Sequence, residues 1–226
     1  MTSGRRAVWG LWALAIALLV GLGAAFIWLR PSTQPTPTTP PRASPSPAAA
    51  SFGFTRMIGH PAPDFSLLDQ FGRVERMSSF RGKGVLLTFI SSRCTNACPL
   101  TALLLRRTQQ LLGPRAQDTE VVAVNANATH ASVRDVLRWS QAHDMTHRWL
   151  FVTGPPLGPV SAALSGLPSV WRAYGVTGGG AHTTAIFLID PDGRIRSVVP
   201  IAERASIGAE AQAMARYVTG IERTAT

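Results

Sequence analysis

The chain of 226 residues carries 22 Lys and Arg against 12 Asp and Glu, a formal charge of +10, and Lys83 is its single lysine. The arginines are scattered, without a basic block or an aromatic-basic motif. That puts nucleic acid well behind an anionic surface such as phospholipid headgroups or an acidic protein.

From Ala7 to Leu29 runs an uncharged stretch, AVWGLWALAIALLVGLGAAFIWL, with Trp9, Trp12 and Trp28 towards its ends. At ~1.5 Å per residue it is long enough to cross a ~30 Å bilayer core, and tryptophans gather at such interfaces. Gly23-Ala24-Ala25 would suit cleavage of a signal peptide, but the run continues apolar through Phe26-Ile27-Trp28-Leu29, which favours an uncleaved transmembrane helix. Residues 1–30 are therefore expected to form a cytoplasmic tip and a single-pass anchor. Arg5-Arg6 would keep the N-terminus inside, and the rest of the chain would lie on the extracytoplasmic side of the cell membrane. Residues 31–51 hold seven prolines among Ser, Thr and Ala, a composition that builds no core and suits a linker.

The globular domain is expected over 52–226. Pro63 to Val74 reads as a hairpin around Gly72. Val85-Leu86-Leu87-Thr88-Phe89-Ile90 is long enough for a buried strand and too short for a helix. A helix is predicted from Pro99 to Leu112, stopped by Gly113-Pro114. A strand at Glu120 to Asn125, a helix over Ala131 to His143 and a strand at Trp149 to Val152 follow. Weaker helical stretches lie around Val160 to Leu164 and Ser169 to Tyr174. Thr184 to Ile189 and Arg196 to Pro200 flank Asp190-Pro191-Asp192-Gly193, the clearest hairpin in the chain, and a helix from Ile207 to Val218 closes it. Alternating strands and helices with a terminal hairpin predict an α/β sandwich with a mixed central sheet.

The two cysteines of the chain, Cys94 and Cys98, fall on the turn between that buried strand and the helix after it. Helix N-termini present free N–H groups and positive potential, so a thiolate is expected to be favoured at Cys98. A disulfide between them would close a loop of about five residues, too short to add much entropic stability, so the pair suits reversible redox work better than stapling. His60, His130, His143 and His147 sit in loops or on helix surface and suggest no site.

A Pro-Asp-Phe hairpin, then strand, Cys-x-x-x-Cys-Pro and helix, then a late His before strand-Ile-Asp-Pro-Asp-Gly, resembles the Sco/SenC family. The resemblance covers roughly Ile58 to the C-terminus together with the anchor-and-linker plan. It implies a thioredoxin-like sandwich and a membrane-tethered chaperone that delivers copper to the dicopper site of a respiratory cytochrome c oxidase. The copper-bearing subunit of that oxidase, or another exported copper or thiol protein, would be the partner. The implied copper ligands are Cys94, Cys98 and His182, and soft thiolates with one imidazole can hold copper as Cu(I) or Cu(II). The pattern departs from the family at Ala181, where an aspartate is common, and at Val124-Asn125-Ala126-Asn127-Ala128-Thr129, where two acidic groups are replaced by neutral ones. The rival reading is an extracytoplasmic thiol–disulfide oxidoreductase in which Cys94 attacks and Cys98 resolves, an activity that can also accompany metal delivery. A peroxiredoxin fits less well, with Leu87 where that family has a proline.

Overall fold

The computed structural model describes residues 57–154, 166–177, 184–201 and 206–224, all within the second of the chain's two units, Pro45–Thr226. The first elements are a short antiparallel hairpin, Ser66–Leu68 (β1) and Val74–Arg76 (β2), with Leu67 opposite Glu75. Its turn closes around the buried Asp69 carboxylate. That group accepts from the N–H groups of Phe71 and Arg73, each at 2.8 Å, and from the Arg73 guanidinium.

After a single-turn helix at Met77–Phe80, the chain enters Gly84–Ile90 (β3), buried along its whole length. Ala97–Leu112 (α1) follows, then Thr119–Asn125 (β4), Val133–Ala142 (α2) and Leu150–Val152 (β5). Leu167–Ala173 (α3), Ala185–Ile189 (β6), Ile195–Pro200 (β7) and Ile207–Thr224 (α4) complete the order. Five strands make one sheet in the order β5-β4-β3-β6-β7. β3 pairs parallel with β4 and antiparallel with β6, so the sheet is mixed. The expected mixed-sheet sandwich is therefore present.

Side chains alternate across a strand. On β3, Val85, Leu87 and Phe89 join a core with the β1–β2 hairpin and α3, while Leu86 and Ile90 join another with α1, α2 and α4. A strand covered on both faces needs an unbroken apolar run, and β3 supplies it. Thr88 is the polar member, and its hydroxyl donates to the Ala185 carbonyl at 2.9 Å.

Two local devices keep the frame in register. In the β6–β7 hairpin Gly193 sits at φ +71°, its N–H donates to the Asp190 carbonyl at 2.8 Å, and a Cβ there would collide with the Arg81 guanidinium. Only glycine meets both conditions. At the β5 edge the buried Gln70 amide stands in for a neighbouring strand. It donates to the carbonyls of Trp149 and Thr146 at 2.9 and 3.1 Å, and accepts from the Phe151 N–H at 2.7 Å.

Several expectations change. α1 begins at Ala97, two residues before Pro99, which falls where a helix N–H has no intrahelical partner to lose. α4 runs beyond Val218, to Thr224. The stretch Val160 to Leu164 lies outside the described residues. The single-pass anchor is corrected: among the described residues no helix is long and apolar enough to cross a membrane. The run Ala7 to Leu29 on which it rested lies outside them, and the expected single-pass cell-membrane location is corrected to this extent, that no described helix supplies the span.

Candidate functional site

β3 and β4 end side by side, with Ile90 paired to Asn125, and the two loops that leave them form the site. The first loop turns at once, as the Cys94 N–H donates to the Ser91 carbonyl at 3.0 Å, and α1 then starts. Cys94 is half-buried and Cys98 is fully buried in the core beneath α1. Both are thiols rather than a disulfide.

The backbone N–H of Cys98, in the first turn of α1, donates to Cys94 Sγ at 3.3 Å, and the Cys94 thiol donates to Asn96 Oδ1 at 3.3 Å. The helix N-terminus is thus aimed at Cys94. The expectation that it would favour a thiolate at Cys98 is corrected. Burial pushes the Cys98 thiol well above the ordinary thiol range, and its hydrogen bond with Cys94 and the charge there push the same way.

The second loop carries the neutral side chains noted in the sequence. Asn125 is fully buried and uses its whole amide. Its Nδ2 donates to the His130 carbonyl at 2.8 Å and to Thr153 Oγ1 at 3.0 Å, while its Oδ1 accepts from the N–H groups of Ser92 at 3.3 Å and Asn127 at 3.1 Å. Asn127 Oδ1 in turn accepts from the N–H groups of Thr129 and His130, both at 3.0 Å. Ser92 Oγ donates to the His130 carbonyl at 2.6 Å, so the cysteine loop is tied to this shelf two residues before Cys94.

Trp139 is the site residue that the sequence did not disclose. It shows there as one more apolar position on α2, yet its indole N–H donates to the Cys94 carbonyl at 3.1 Å. The usable signal was chemical: a buried tryptophan needs an acceptor for that N–H. The ring is wedged against His143, with centroids 3.7 Å apart, and against Trp149 at 5.5 Å. His143 Nδ1 is 2.8 Å from the Trp139 carbonyl, and His147 stacks on Phe71. His182 lies outside the described residues. Among the described residues no group of three or more His, Cys, Asp or Glu is placed to hold a metal ion.

A family model described as SCO1/SenC matches residues 58–219. The thiol–disulfide oxidoreductase ResA of Geobacillus thermodenitrificans is 28% identical over 142 residues, 63% of this chain and 68% of that protein. Copper-bound ScoI of Bradyrhizobium japonicum has the same fold, with a TM-score of 0.52 and 22% identity over 71% of this chain and 99% of that one. So has BsSco, described as a member of the Sco family of cytochrome c oxidase assembly proteins with a disulfide switch. Its TM-score is 0.56, with 16% identity over 72% of this chain and 94% of that one. The chain is thus homologous to a thiol–disulfide oxidoreductase and shares a family with copper-binding proteins. The expected main role, a membrane-anchored chaperone delivering copper to an oxidase, is corrected by these findings. The curated relative at 28% identity is a thiol–disulfide oxidoreductase, and no helix among the described residues is long and apolar enough to cross a membrane.

Proposed function

The chain belongs to the SCO1/SenC family, and from that premise we propose that it is an extracytoplasmic thiol–disulfide oxidoreductase working through Cys94 and Cys98. The observation that carries this reading is the asymmetry of the pair. Cys94 is half-exposed and receives the Cys98 N–H at 3.3 Å, whereas Cys98 is fully buried and held protonated.

The steps follow from that asymmetry. The Cys94 thiolate attacks one sulfur of a partner disulfide, making a mixed disulfide and releasing the partner's other sulfur as a thiolate. The Cys98 N–H, at the positive end of α1, faces the sulfur that carries the negative charge during attack. Once Cys94 is bound to the partner its charge no longer opposes ionisation of Cys98. Cys98 then gives up its proton to solvent and attacks Cys94 Sγ, which forms the Cys94–Cys98 disulfide and frees the second partner thiolate. Two electrons have passed to the partner, and an external dithiol returns the protein to its starting state by the same exchange in reverse order. The partner is an exported protein with a cysteine pair, of which the copper-bearing subunit of a cytochrome c oxidase is the family-level instance.

The test is a reaction with a disulfide-linked peptide, followed by mass spectrometry. Cys98→Ser should accumulate a mixed disulfide on Cys94, and Cys94→Ser should form none. Adduct formation at Cys98 in Cys94→Ser, at the rate of the unaltered protein, would overturn the reading.

Copper is the metal this donor set fits, since two soft sulfurs joined across the helix start by the Cys98 N–H bond to Cys94 Sγ suit Cu(I). Cys94 and Cys98 would hold it, with His182 as the proposed third donor. Bound copper would supply a redox-active centre that blocks exchange at both sulfurs. One equivalent of Cu(I) that protects both thiols from alkylation would support this, and unprotected thiols would remove it.

A further inference from the structure

Away from the sulfurs, one surface groove carries more charge than its own ion pairs use. It encloses about 260 Å3 between Leu103, Arg106 and Arg107 of α1, Asp144 and Arg148 in the turns after α2, and Ile207 at the start of α4. Asp144 is the one carboxylate among the lining residues, 3.1 Å from the Arg106 guanidinium and 3.9 Å from that of Arg148. Arg107 donates to the neutral amide of Gln110 at 3.1 Å. Three guanidinium groups thus face one carboxylate, and three less one leaves an excess of two positive charges.

The groove is continuous with the cysteine end of α1. Leu100, Leu103, Arg107 and Gln110 follow one another at intervals of three and four residues, which places them on one side of a helix. Leu100 and Leu103 are 36% and 40% exposed, large apolar side chains on the stretch between Pro99 and the arginines. Arg106 lies eight residues after Cys98, whose backbone N–H holds Cys94 Sγ at 3.3 Å, so the groove starts ~12 Å along the axis from the reactive sulfur at ~1.5 Å per residue. An extended chain covers that span in about four residues.

We propose that this stripe and groove dock an acidic segment of the partner protein, with a carboxylate about four residues from the cysteine that meets Cys94. Guanidinium groups grip carboxylates through paired, parallel hydrogen bonds, a geometry an ammonium lacks. The concave shape and the apolar approach over Leu100 and Leu103 suit a peptide chain better than the plane of lipid headgroups. That the segment comes from a thiol partner rests on the proposed exchange; the acid binding itself does not, and is measured without thiols.

The experiment uses the full chain with Cys94→Ser and Cys98→Ser. It follows the fluorescence anisotropy of a fluorescein-labelled eight-residue peptide of glutamates interrupted by two leucines. Arg107→Glu and, separately, Arg148→Glu are expected to weaken binding about tenfold, the scale of losing a close charge pair at an interface. Arg134→Glu makes the same charge change on the exposed side of α2 and is expected to stay within about twofold, as long-range charge is screened. Equal weakening by Arg134→Glu would reduce the effect to net charge and overturn the proposal. So would no binding, or binding only to phosphatidylglycerol vesicles. The wild-type chain is then given disulfide peptides that differ by Glu or Gln four residues from the cysteine. Faster exchange with the glutamate peptide supports the groove. Equal exchange with both, beside flat anisotropy, overturns the groove and leaves the exchange role standing, while peptide binding without any exchange does the reverse.

Discussion

Two loops leave the same end of the sheet from adjacent parallel strands, and they are built in opposite ways. The loop after β4 is knotted by side-chain amides, with Asn125 alone making four hydrogen bonds in the interior. The loop after β3 carries the sulfurs and is held mostly from outside, by Ser92 to the His130 carbonyl and by the Trp139 indole to the Cys94 carbonyl. The contrast teaches a division of labour. In the proposed exchange Cys94 trades its contacts, and its position is set by neighbours that need not move.

The comparison can be broken most directly at the sulfurs. Cys94→Ser should slow exchange with a peptide disulfide by at least about a thousandfold, since a hydroxyl does not replace a thiolate as the nucleophile. A stopped-flow rate within tenfold of the unaltered protein would show that Cys98 reacts unaided.

The next effect belongs to the shelf. Asn125→Ala should lower stability by about 3 kcal/mol in urea unfolding, because it strands several buried partners at once. Asn125→Asp should destabilise at neutral pH and recover on acidification, because an ionised carboxylate would face the His130 carbonyl where Nδ2 now donates. A shelf indifferent to either change would mean that it is not what holds the cysteine loop.

Protonation sharpens the contrast further. The Cys98 thiol keeps its proton in the folded protein to a higher pH than in the unfolded chain. Unfolding then releases a proton, so this contribution is fully present below the unfolded thiol pKa of about 8.5 and is lost as pH rises above it. The reduced protein should lose stability between pH 8.5 and 10 more steeply than Cys98→Ser does (a window of ~1.5 units set by that reference value). Parallel curves from calorimetry would contradict it.

Smaller effects complete the series. Trp139→Phe keeps the ring but drops the indole bond and should cost about 1 kcal/mol. It should also speed alkylation of Cys94, which a purely structural role for the ring would leave unmoved. Leu100→Ser on the exposed stripe of α1 should change stability by less than about 0.5 kcal/mol.

Strands and hairpins were legible because their signals are local. The apolar run of β3 and the Asp-Pro-Asp-Gly turn each specify one conformation with little help from the rest of the chain. Cys94 and Cys98 were legible for the same reason, being paired in sequence on a strand-to-helix turn. Their inequality was not. Which thiol is buried depends on α4 and the sheet packing over α1, contacts far off in sequence. The Trp139 bond to Cys94 spans 45 residues and leaves no mark in local pattern. Asn125 looked in the sequence like an acid lost from a functional position, and in the fold it is a fully bonded structural amide.

The Gln70 amide has a consequence beyond its own hydrogen bonds. An open strand edge is a template on which another chain can add itself, one copy after another. By filling the hydrogen-bonding positions of Trp149 and Phe151, Gln70 denies that template to other molecules. With the paired Leu68 and Thr153 backbones, that side chain closes the margin of the sheet farthest in strand order from the β6–β7 hairpin to self-propagating assembly.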